Sequence, residues 1–236
     1  MPQIEMQHVT KYFTNEQRRF TAIDDVSLTI ERGEFVFLIG SSGAGKTTLL
    51  RLLANQIVAD EGKIWIDDVE LTRLRGWRRP VYRRNIGQVW QDASLIRKKT
   101  VRQNLELVQR ALGVKSKVIP ENTRKALSIV GMRAMEDRYP FELSGGQVKM
   151  VELARAIICN PPILIVDEIT ANLDYDTGWD ILNEINRCGT TVIMATHAKD
   201  FVNIMCRRVV TLVAGKIAGD VEKGKYGELR ATSRFE

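Results

Sequence analysis

The chain has 236 residues, of which 44% are hydrophobic and 27% charged, and its formal net charge is +6. This composition is ordinary for a soluble globular protein, no apolar run approaches the roughly 20 residues of a membrane span, and residues 1–20 predict no signal peptide. The three cysteines are odd in number and widely spaced, which excludes a disulfide framework or zinc pattern and favours a reducing cytoplasm.

Strands and one helix are predicted in the first part of the chain. Apolar and polar residues alternate around residues 4–6 and 26–30, which predicts two half-buried antiparallel strands. The uninterrupted apolar run at residues 35–39 is typical of a strand covered on both faces. Further elements are predicted at residues 46–54 (helix), 63–66 (strand) and 86–91 (strand).

The excess positive charge is concentrated between Arg73 and Lys99, where Asp92 is the only acidic residue. Such a segment is a solvated face, a surface attracted to anionic lipid or a membrane partner, or a nucleic-acid site. Composition alone does not decide among these. The basic residues inside the segment are Arg75, Arg78, Arg79, Arg83, Arg84, Arg97 and Lys98.

The second half of the chain begins with a helical stretch and then returns to strands. Apolar residues recur at helical spacing through residues 101–149, and a second helix in this stretch is expected to end near Gly131. Buried strands are predicted at residues 163–166 and 191–195, and a hairpin at residues 209–213 with 216–218.

This order of elements predicts one α/β domain over residues 1–236. We expect a parallel-sheet core, an antiparallel β flap and a helical subdomain at approximately residues 92–150 within the domain.

A glycine-rich loop lies between the predicted strand 35–39 and the predicted helix 46–54. The pattern Gly-x-x-x-x-Gly-Lys-Thr in this context predicts backbone N–H groups arranged around phosphate oxygens, beside the positive end of a helix. Lys46 would neutralise the β- and γ-phosphates, Thr47 would ligate Mg²⁺, and Thr48 is a candidate for a second phosphate contact. The loop reads Gly40, Ser41, Ser42, Gly43, Ala44, Gly45, Lys46, Thr47.

Two adjacent carboxylates, Asp167 and Glu168, follow the predicted strand 163–166. The carboxyl end of a strand is where an open α/β sheet places its ligands. We expect Asp167 to hold Mg²⁺, through water, and Glu168 to polarise the attacking water as a general base.

A second glycine motif, Leu143-Ser144-Gly145-Gly146-Gln147, resembles the signature motif of ABC-type ATPases, a group with the P-loop NTPase fold. Gln91, the run Asn172-Leu173-Asp174 and His197 resemble that family's Q-loop, D-loop and switch histidine, in the family's order. The resemblance covers roughly residues 3 to 220. Independently of it, Ser144 is placed to cap a helix beginning at Gly145 and so to aim backbone N–H groups at an anion.

The resemblance implies a homodimer in which the signature of one subunit reaches the γ-phosphate held by the other. It also implies that Gln91 completes the Mg²⁺ shell, that His197 contacts the γ-phosphate, and that Asp174 couples the two subunits. Phe13, or its neighbour Tyr12, would stack on adenine.

Within the family, the chain most resembles the cell-division ATPases, which act with an integral membrane protein at the cytoplasmic face of the cell membrane. The alternative is the ATPase subunit of an exporter or importer. A nucleic-acid ATPase is not favoured, because there is one cassette and only a short stretch between Gln91 and Ser144. The chain departs from the family pattern at Ile169 (usually proline), Lys149 and Met150 (usually Gln-Arg) and Glu152 (commonly alanine).

Overall fold

A computed structural model describes residues 2–15, 18–92, 94–169, 175–187 and 189–228. The chain forms two compact units. The first unit contains the residues up to Arg83 and those from Thr191 onward, and the second unit contains Arg84–Thr190.

The elements below are those of the described residues. The strands are β1 (Ile4–Asn15), β2 (Arg18–Ile30), β3 (Phe35–Ile39), β4 (Glu61–Ile66), β5 (Val69–Glu70), β6 (Ile86–Val89), β7 (Ile163–Asp167), β8 (Thr191–Ala195), β9 (Arg208–Val213) and β10 (Lys216–Val221). The α-helices are α1 (Lys46–Leu53), α2 (Arg78–Arg83), α3 (Val101–Ala111), α4 (Ile119–Ile129), α5 (Gly145–Ile157), α6 (Tyr175–Arg187) and α7 (Lys199–Met205).

The first unit contains an antiparallel sheet in the order β2-β1-β4-β5. β1 and β2 pair from Ile4 opposite Ile30 to Phe13 opposite Phe20 and beyond, with register shifts between. The inward faces of these strands are apolar, as the alternation predicts, and Ile4 and Ile30 are fully buried. This sheet is the antiparallel flap.

The parallel strands of the first unit surround β3. β3 pairs in parallel with β8 on one side and with β9 on the other, and β10 returns antiparallel to β9. All five residues of β3 are buried, which confirms the expectation of a strand covered on both faces. The glycine loop therefore begins directly after a buried strand that is paired on both sides.

An arginine ties the start of β9 to its neighbours. Arg208 is 3% exposed and lies 2.6 Å from Asp220 of β10 and 3.1 Å from Glu34, which precedes β3. Burial opposes the charge on Arg208, but the hydrogen bonds and charges of Asp220 and Glu34 raise its pKa above the ordinary value. The two carboxylates thus keep the charge of Arg208 compensated inside the sheet.

The second unit combines a parallel strand pair with helices. β6 pairs in parallel with β7, and α5 packs against β6. Thr100 caps α3 with a reciprocal bond between its own backbone and Gln103. α3, α4 and α5 contact one another, and Leu105, Leu127 and Leu153 of these helices are fully buried.

The helix after the glycine loop and the later strands are confirmed with small shifts of their ends. The strands predicted around residues 4–6 and 26–30 are confirmed but are much longer, at Ile4–Asn15 and Arg18–Ile30. The strand predicted at residues 86–91 ends at Val89, so Gln91 lies beyond it. Within residues 101–149 the helical stretch is divided between α3, α4 and the start of α5. No bounds were predicted for the helices α2, α6 and α7 or for the short strand β5.

Candidate functional site

The glycine loop connects β3 to α1 within the first unit, and two of its glycines have different surroundings. Gly45 has φ +105°, and a Cβ there would lie 2.5 Å from the backbone oxygen of Ala22, so the neighbouring strand leaves no room for a side chain. Gly43 has φ +77°, but a Cβ there would meet nothing within 4 Å. The loop is therefore packed at its helix end and open at Gly43, where its backbone can approach a ligand.

Lys46 lies inside this loop with only 6% of its surface exposed. Its ammonium donates to the carbonyl oxygens of Gly40 and Ser41 at 2.9 and 3.0 Å. The same nitrogen lies 3.2 Å from Nε2 of His197, which follows β8. The first unit therefore brings Lys46 and His197 together, and both are residues for which the sequence analysis expects a phosphate contact.

The contact with Lys46 fixes the tautomer of His197. An ammonium group only donates, so Nε2 is the acceptor and the proton of the neutral ring is on Nδ1. The hydroxyl of Tyr226 lies 3.4 Å from the other ring nitrogen, Nδ1. The backbone N–H of Tyr226 in turn donates to Oδ1 of Asn203 in α7 at 2.8 Å.

Tyr226 is a residue that sequence reasoning missed as part of the site. It lies 29 positions after His197, and no local spacing links the two. Only the return of the chain after β10 brings the hydroxyl to the imidazole.

The two aromatic candidates for adenine stacking differ in their surroundings. The guanidinium of Arg19 covers the ring of Tyr12 at 3.4 Å, and the Tyr12 hydroxyl donates to Glu61 at 3.0 Å. Phe13 stacks on Phe20 with ring centroids 5.7 Å apart, and Phe20 is 52% exposed. The surroundings favour Phe13 over Tyr12, and they add Phe20 as a neighbouring aromatic surface.

The second glycine motif forms the start of α5 in the second unit. Oγ of Ser144 accepts from the backbone N–H of Gln147 at 3.2 Å, and the Gln147 side chain accepts from the backbone N–H of Ser144 at 2.9 Å. The predicted cap at Ser144 is confirmed, with a helix beginning at Gly145. The first helical turn, which includes Gly145 and Gly146, keeps backbone N–H groups that the helix itself does not use.

The two carboxylates lie at the carboxyl end of β7, also in the second unit. Asp167 is the last residue of the strand and is 2% exposed. Glu168 has φ +53°, a left-handed backbone conformation that is rare for a residue with a side chain. The next residue, Ile169, is 3% exposed, so the isoleucine that replaces the usual proline is buried after the turn.

Gln91 is exposed and lies in the loop after β6. Ser41, Ser42, Thr47 and Thr48 belong to the first unit with Lys46, whereas Gln91, Ser144–Gln147, Asp167 and Glu168 belong to the second. The run Asn172-Leu173-Asp174 lies outside the described residues. Among the described residues, no three His, Cys, Asp or Glu side chains are grouped as a metal site, and no helix is long and apolar enough to cross a membrane.

Comparisons with known proteins place the chain in a family. A sequence profile of the ABC transporter family matches residues 23–171. The cell division ATP-binding protein FtsE of Mycobacterium tuberculosis is 40% identical over 227 residues, which cover 95% of this chain and 98% of the relative. The methionine import ATP-binding protein MetN of Haemophilus influenzae is 36% identical, with 99% of this chain and 68% of the relative covered.

A solved structure is similar in fold and sequence. It is the dimeric, post-hydrolysis state of the ATP-binding cassette MJ0796 bound to ADP and Pi, with a TM-score of 0.87, 29% identity, and coverage of 94% of this chain and 100% of the other.

The loop between β3 and α1, the carboxylates after β7 and the α/β fold define a P-loop nucleotide hydrolase. The chain belongs to the ABC transporter family and is an ATP-binding ATPase of that family.

Replacing Tyr226 with phenylalanine tests its contribution to the site. Loss of a hydrogen bond to His197, worth about 1 kcal/mol, should lower the kcat for ATP hydrolysis about fivefold and leave KM nearly unchanged. Steady-state phosphate release measures both constants. Lys225→Ala, at the exposed neighbouring residue, is the control, and a Tyr226→Phe enzyme that matches this control would show that the hydroxyl does not act on His197.

Proposed function

We propose that this chain is the ATP-hydrolysing subunit of a membrane-associated complex of the FtsE kind, acting with an FtsX-like integral membrane protein in cell division and in the control of cell-wall hydrolysis. The observation that carries this proposal is the match to FtsE proteins over 95% of the chain at 38–40% identity. The role of such a subunit is to convert ATP binding and hydrolysis into motion of its membrane partner.

The glycine loop is proposed to bind the triphosphate of ATP. Backbone N–H groups from Gly40 to Gly45 and the first turn of α1 would donate to phosphate oxygens, and Lys46 would exchange its bonds to loop carbonyls for bonds to the β- and γ-phosphates. The hydroxyl of Thr48 is a second phosphate contact. Phe13 would stack on the adenine ring.

The residues proposed to hold Mg²⁺ fit that ion. They are the hydroxyl of Thr47, the side-chain amide oxygen of Gln91 and the carboxylate of Asp167, which are the hard oxygen donors that Mg²⁺ prefers. A set with one carboxylate also agrees with a metal held largely by the phosphates of its substrate. When bound, the ion would neutralise charge on the β- and γ-phosphates.

Hydrolysis requires a base for water and a group that fixes the γ-phosphate. Glu168 is proposed as the base, and the unusual backbone φ of +53° at this position is the kind of local strain that occurs at functional sites. His197 is proposed to contact the γ-phosphate and the attacking water. Lys46 would stabilise the negative charge on the phosphates during the reaction.

The glycine at position 145 supports a contact made by a second subunit. A Cβ at Gly145 would meet nothing within 4 Å of this chain, so internal packing does not require glycine there. Glycine at a helix end is explained when another molecule approaches the backbone closely. We propose that Ser144, Gly145, Gly146 and Gln147 contact the ATP held by a second copy, and that Asp174 couples the two sites of the homodimer.

The importer or exporter alternative is supported by a specific observation, the 36% identity to MetN. In either case the membrane partner decides what is moved or regulated. A partner with four spans and a large extracytoplasmic loop fits the FtsX kind, and a six-span permease fits an importer.

A membrane location is supported by α2 and the residues before it. Trp77 is 73% exposed and Val81 45% exposed, and the guanidinium of Arg78 lies 5.8 Å from the centre of the Trp77 ring. Arg83 anchors the other side of the helix, donating to the carbonyl of Asn55 at 2.8 and 3.1 Å. An exposed tryptophan among arginines suits the interface of an anionic bilayer.

Glu168→Gln is expected to lower ATP turnover by about 100-fold or more, because the amide cannot accept a proton from water. The variant should bind ATP and accumulate as a dimer, which size-exclusion chromatography with and without ATP will measure. Lys46→Ala is the contrasting variant, since it should weaken ATP binding itself. Unchanged turnover of Glu168→Gln would remove Glu168 as the base.

Association with the membrane partner tests the proposed role in the cell. An FtsX-like protein in detergent should retain the Glu168→Gln variant on an affinity column in ATP, and should stimulate hydrolysis by the unchanged chain. A six-span permease from the same genome is the matched comparison. Retention by the permease alone would replace the cell-division proposal with the importer alternative.

Binding to vesicles tests the surface around Trp77. Each arginine near an anionic membrane contributes about 1 kcal/mol, so the double variant Arg75→Ala/Arg78→Ala should bind phosphatidylglycerol vesicles about thirtyfold less tightly. The control is Lys115→Ala/Lys117→Ala, which removes the same charge from exposed lysines of the second unit. Equal loss in both variants, or salt-sensitive binding to duplex DNA instead, would contradict a lipid-facing role.

A further inference from the structure

Helix α5 carries a buried ion pair that the nucleotide chemistry does not use. Nζ of Lys149 lies 2.9 Å from Oε2 of Glu152, one turn apart, and their side chains are 8% and 1% exposed. These are two of the positions at which the chain departs from its family's pattern. A pair this deep requires further hydrogen bonds to offset the loss of water around both charges.

Those hydrogen bonds are made by residues that precede and follow Gln91 in the chain. On one side, Lys149 donates to the backbone oxygen of Trp90 at 2.5 Å. On the other side, Glu152 accepts from the backbone N–H of Ser94 and, at 2.9 Å, from the Ser94 hydroxyl. The residues before and after Gln91 are therefore bonded to one charged pair.

Arg155, one turn further along α5, strengthens the same connection. Its guanidinium donates to the backbone oxygen of Ser94 at 2.9 Å and also to the Ser94 hydroxyl. Burial lowers the pKa of Arg155, and the nearby charge of Glu152 opposes that shift. Ser94 is thus held through its N–H, its carbonyl and its hydroxyl.

A stabilising role alone does not account for this arrangement. Buried ion pairs contribute little net stability compared with apolar side chains of the same size, because both charges lose their hydration. The charges restrict which backbone groups each side chain can bond, since an ammonium accepts no hydrogen bond and a carboxylate donates none. Lys149 can bond only to acceptors such as the carbonyl of Trp90, and Glu152 only to donors such as the N–H and hydroxyl of Ser94, so the register of the loop on the helix is fixed.

We propose that Lys149 and Glu152 are positioning residues that hold the segment around Gln91 in register with the helix that begins at Ser144. Through them, engagement of the nucleotide by Gln91 and engagement of a second copy's nucleotide by Ser144–Gln147 occur together. This proposal rests on the functions proposed above for Gln91 and for the signature motif.

Two substitutions of Glu152 separate positioning from folding. Glu152→Leu removes both bonds to Ser94, whereas Glu152→Gln keeps an acceptor oxygen for the Ser94 N–H and loses the charge. Because displacement of a reacting group by about 1 Å can lower a rate about 100-fold, we expect Glu152→Leu to lower kcat ten- to hundredfold with KM for ATP within about twofold. Glu152→Gln should retain a clearly larger kcat than Glu152→Leu.

The matched control is Thr123→Val, which breaks another buried polar contact of the second unit. Nε2 of Gln109 donates to the Thr123 hydroxyl at 2.9 Å between α3 and α4, and neither residue bonds to the Gln91 segment. Melting temperature, kcat, KM and ATP-dependent dimer formation in the Glu168→Gln background are measured for each variant. If Glu152→Leu and Thr123→Val have equal kcat per folded molecule, the positioning proposal is overturned.

A Gln91→Ala variant distinguishes failure of the positioning proposal from failure of the functions proposed for Gln91 and the signature motif. If it hydrolyses ATP normally, or if the unchanged chain forms no ATP-dependent dimer, the proposed functions of Gln91 and the signature are wrong and the positioning proposal falls with them. If Gln91→Ala lowers kcat and Glu152→Leu does not, only the positioning proposal is wrong. Ser94→Ala, which leaves the charged pair intact, should produce a smaller decrease than Glu152→Leu.

Discussion

The close approach of the backbone at Ala22 to Gly45 is the constraint on which the phosphate loop depends. Since a side chain at position 45 would collide with that carbonyl oxygen, the loop can pass between the flap and the parallel strands only with glycine there. The backbone N–H of Gly215 also donates to the carbonyl of Ala44 at 3.0 Å, so the turn between β9 and β10 holds the loop as well. The loop's shape is thus imposed by its contacts with strands that lie elsewhere in the sequence.

The motifs that could be read from the sequence are the ones whose chemistry is local. The loop from Gly40 to Thr47 and the cap at Ser144 each depend on a few consecutive residues, and both have the predicted helix starts. The strand β3 was equally predictable from its apolar run, because burial on both faces leaves a composition without alternation. Helix α2 was not predictable from the sequence, because it contains arginines and a proline instead of an apolar face, and none of its residues is buried.

The contacts that could not be predicted join residues far apart in the chain. Tyr226 reaches His197 across 29 positions and Ser94 reaches Glu152 across 58. Neither pair has a spacing that a helix or strand would reveal, so only the fold brings them together. The departures at Lys149 and Glu152 were visible separately, but one sequence does not show that two unusual residues are bonded to each other.

The two glycine motifs share a helix start but differ in how closely the rest of the chain packs against their glycines. Each motif leads into a helix start whose first backbone N–H groups are not used by the helix itself. At Gly45 the chain's own packing demands glycine, whereas at Gly145 the chain leaves open space. Under the proposed functions, the buried charges of Lys149 and Glu152 fix α5 to the segment around Gln91, so that a second copy bound at Ser144–Gln147 would act on that segment through a fixed helix.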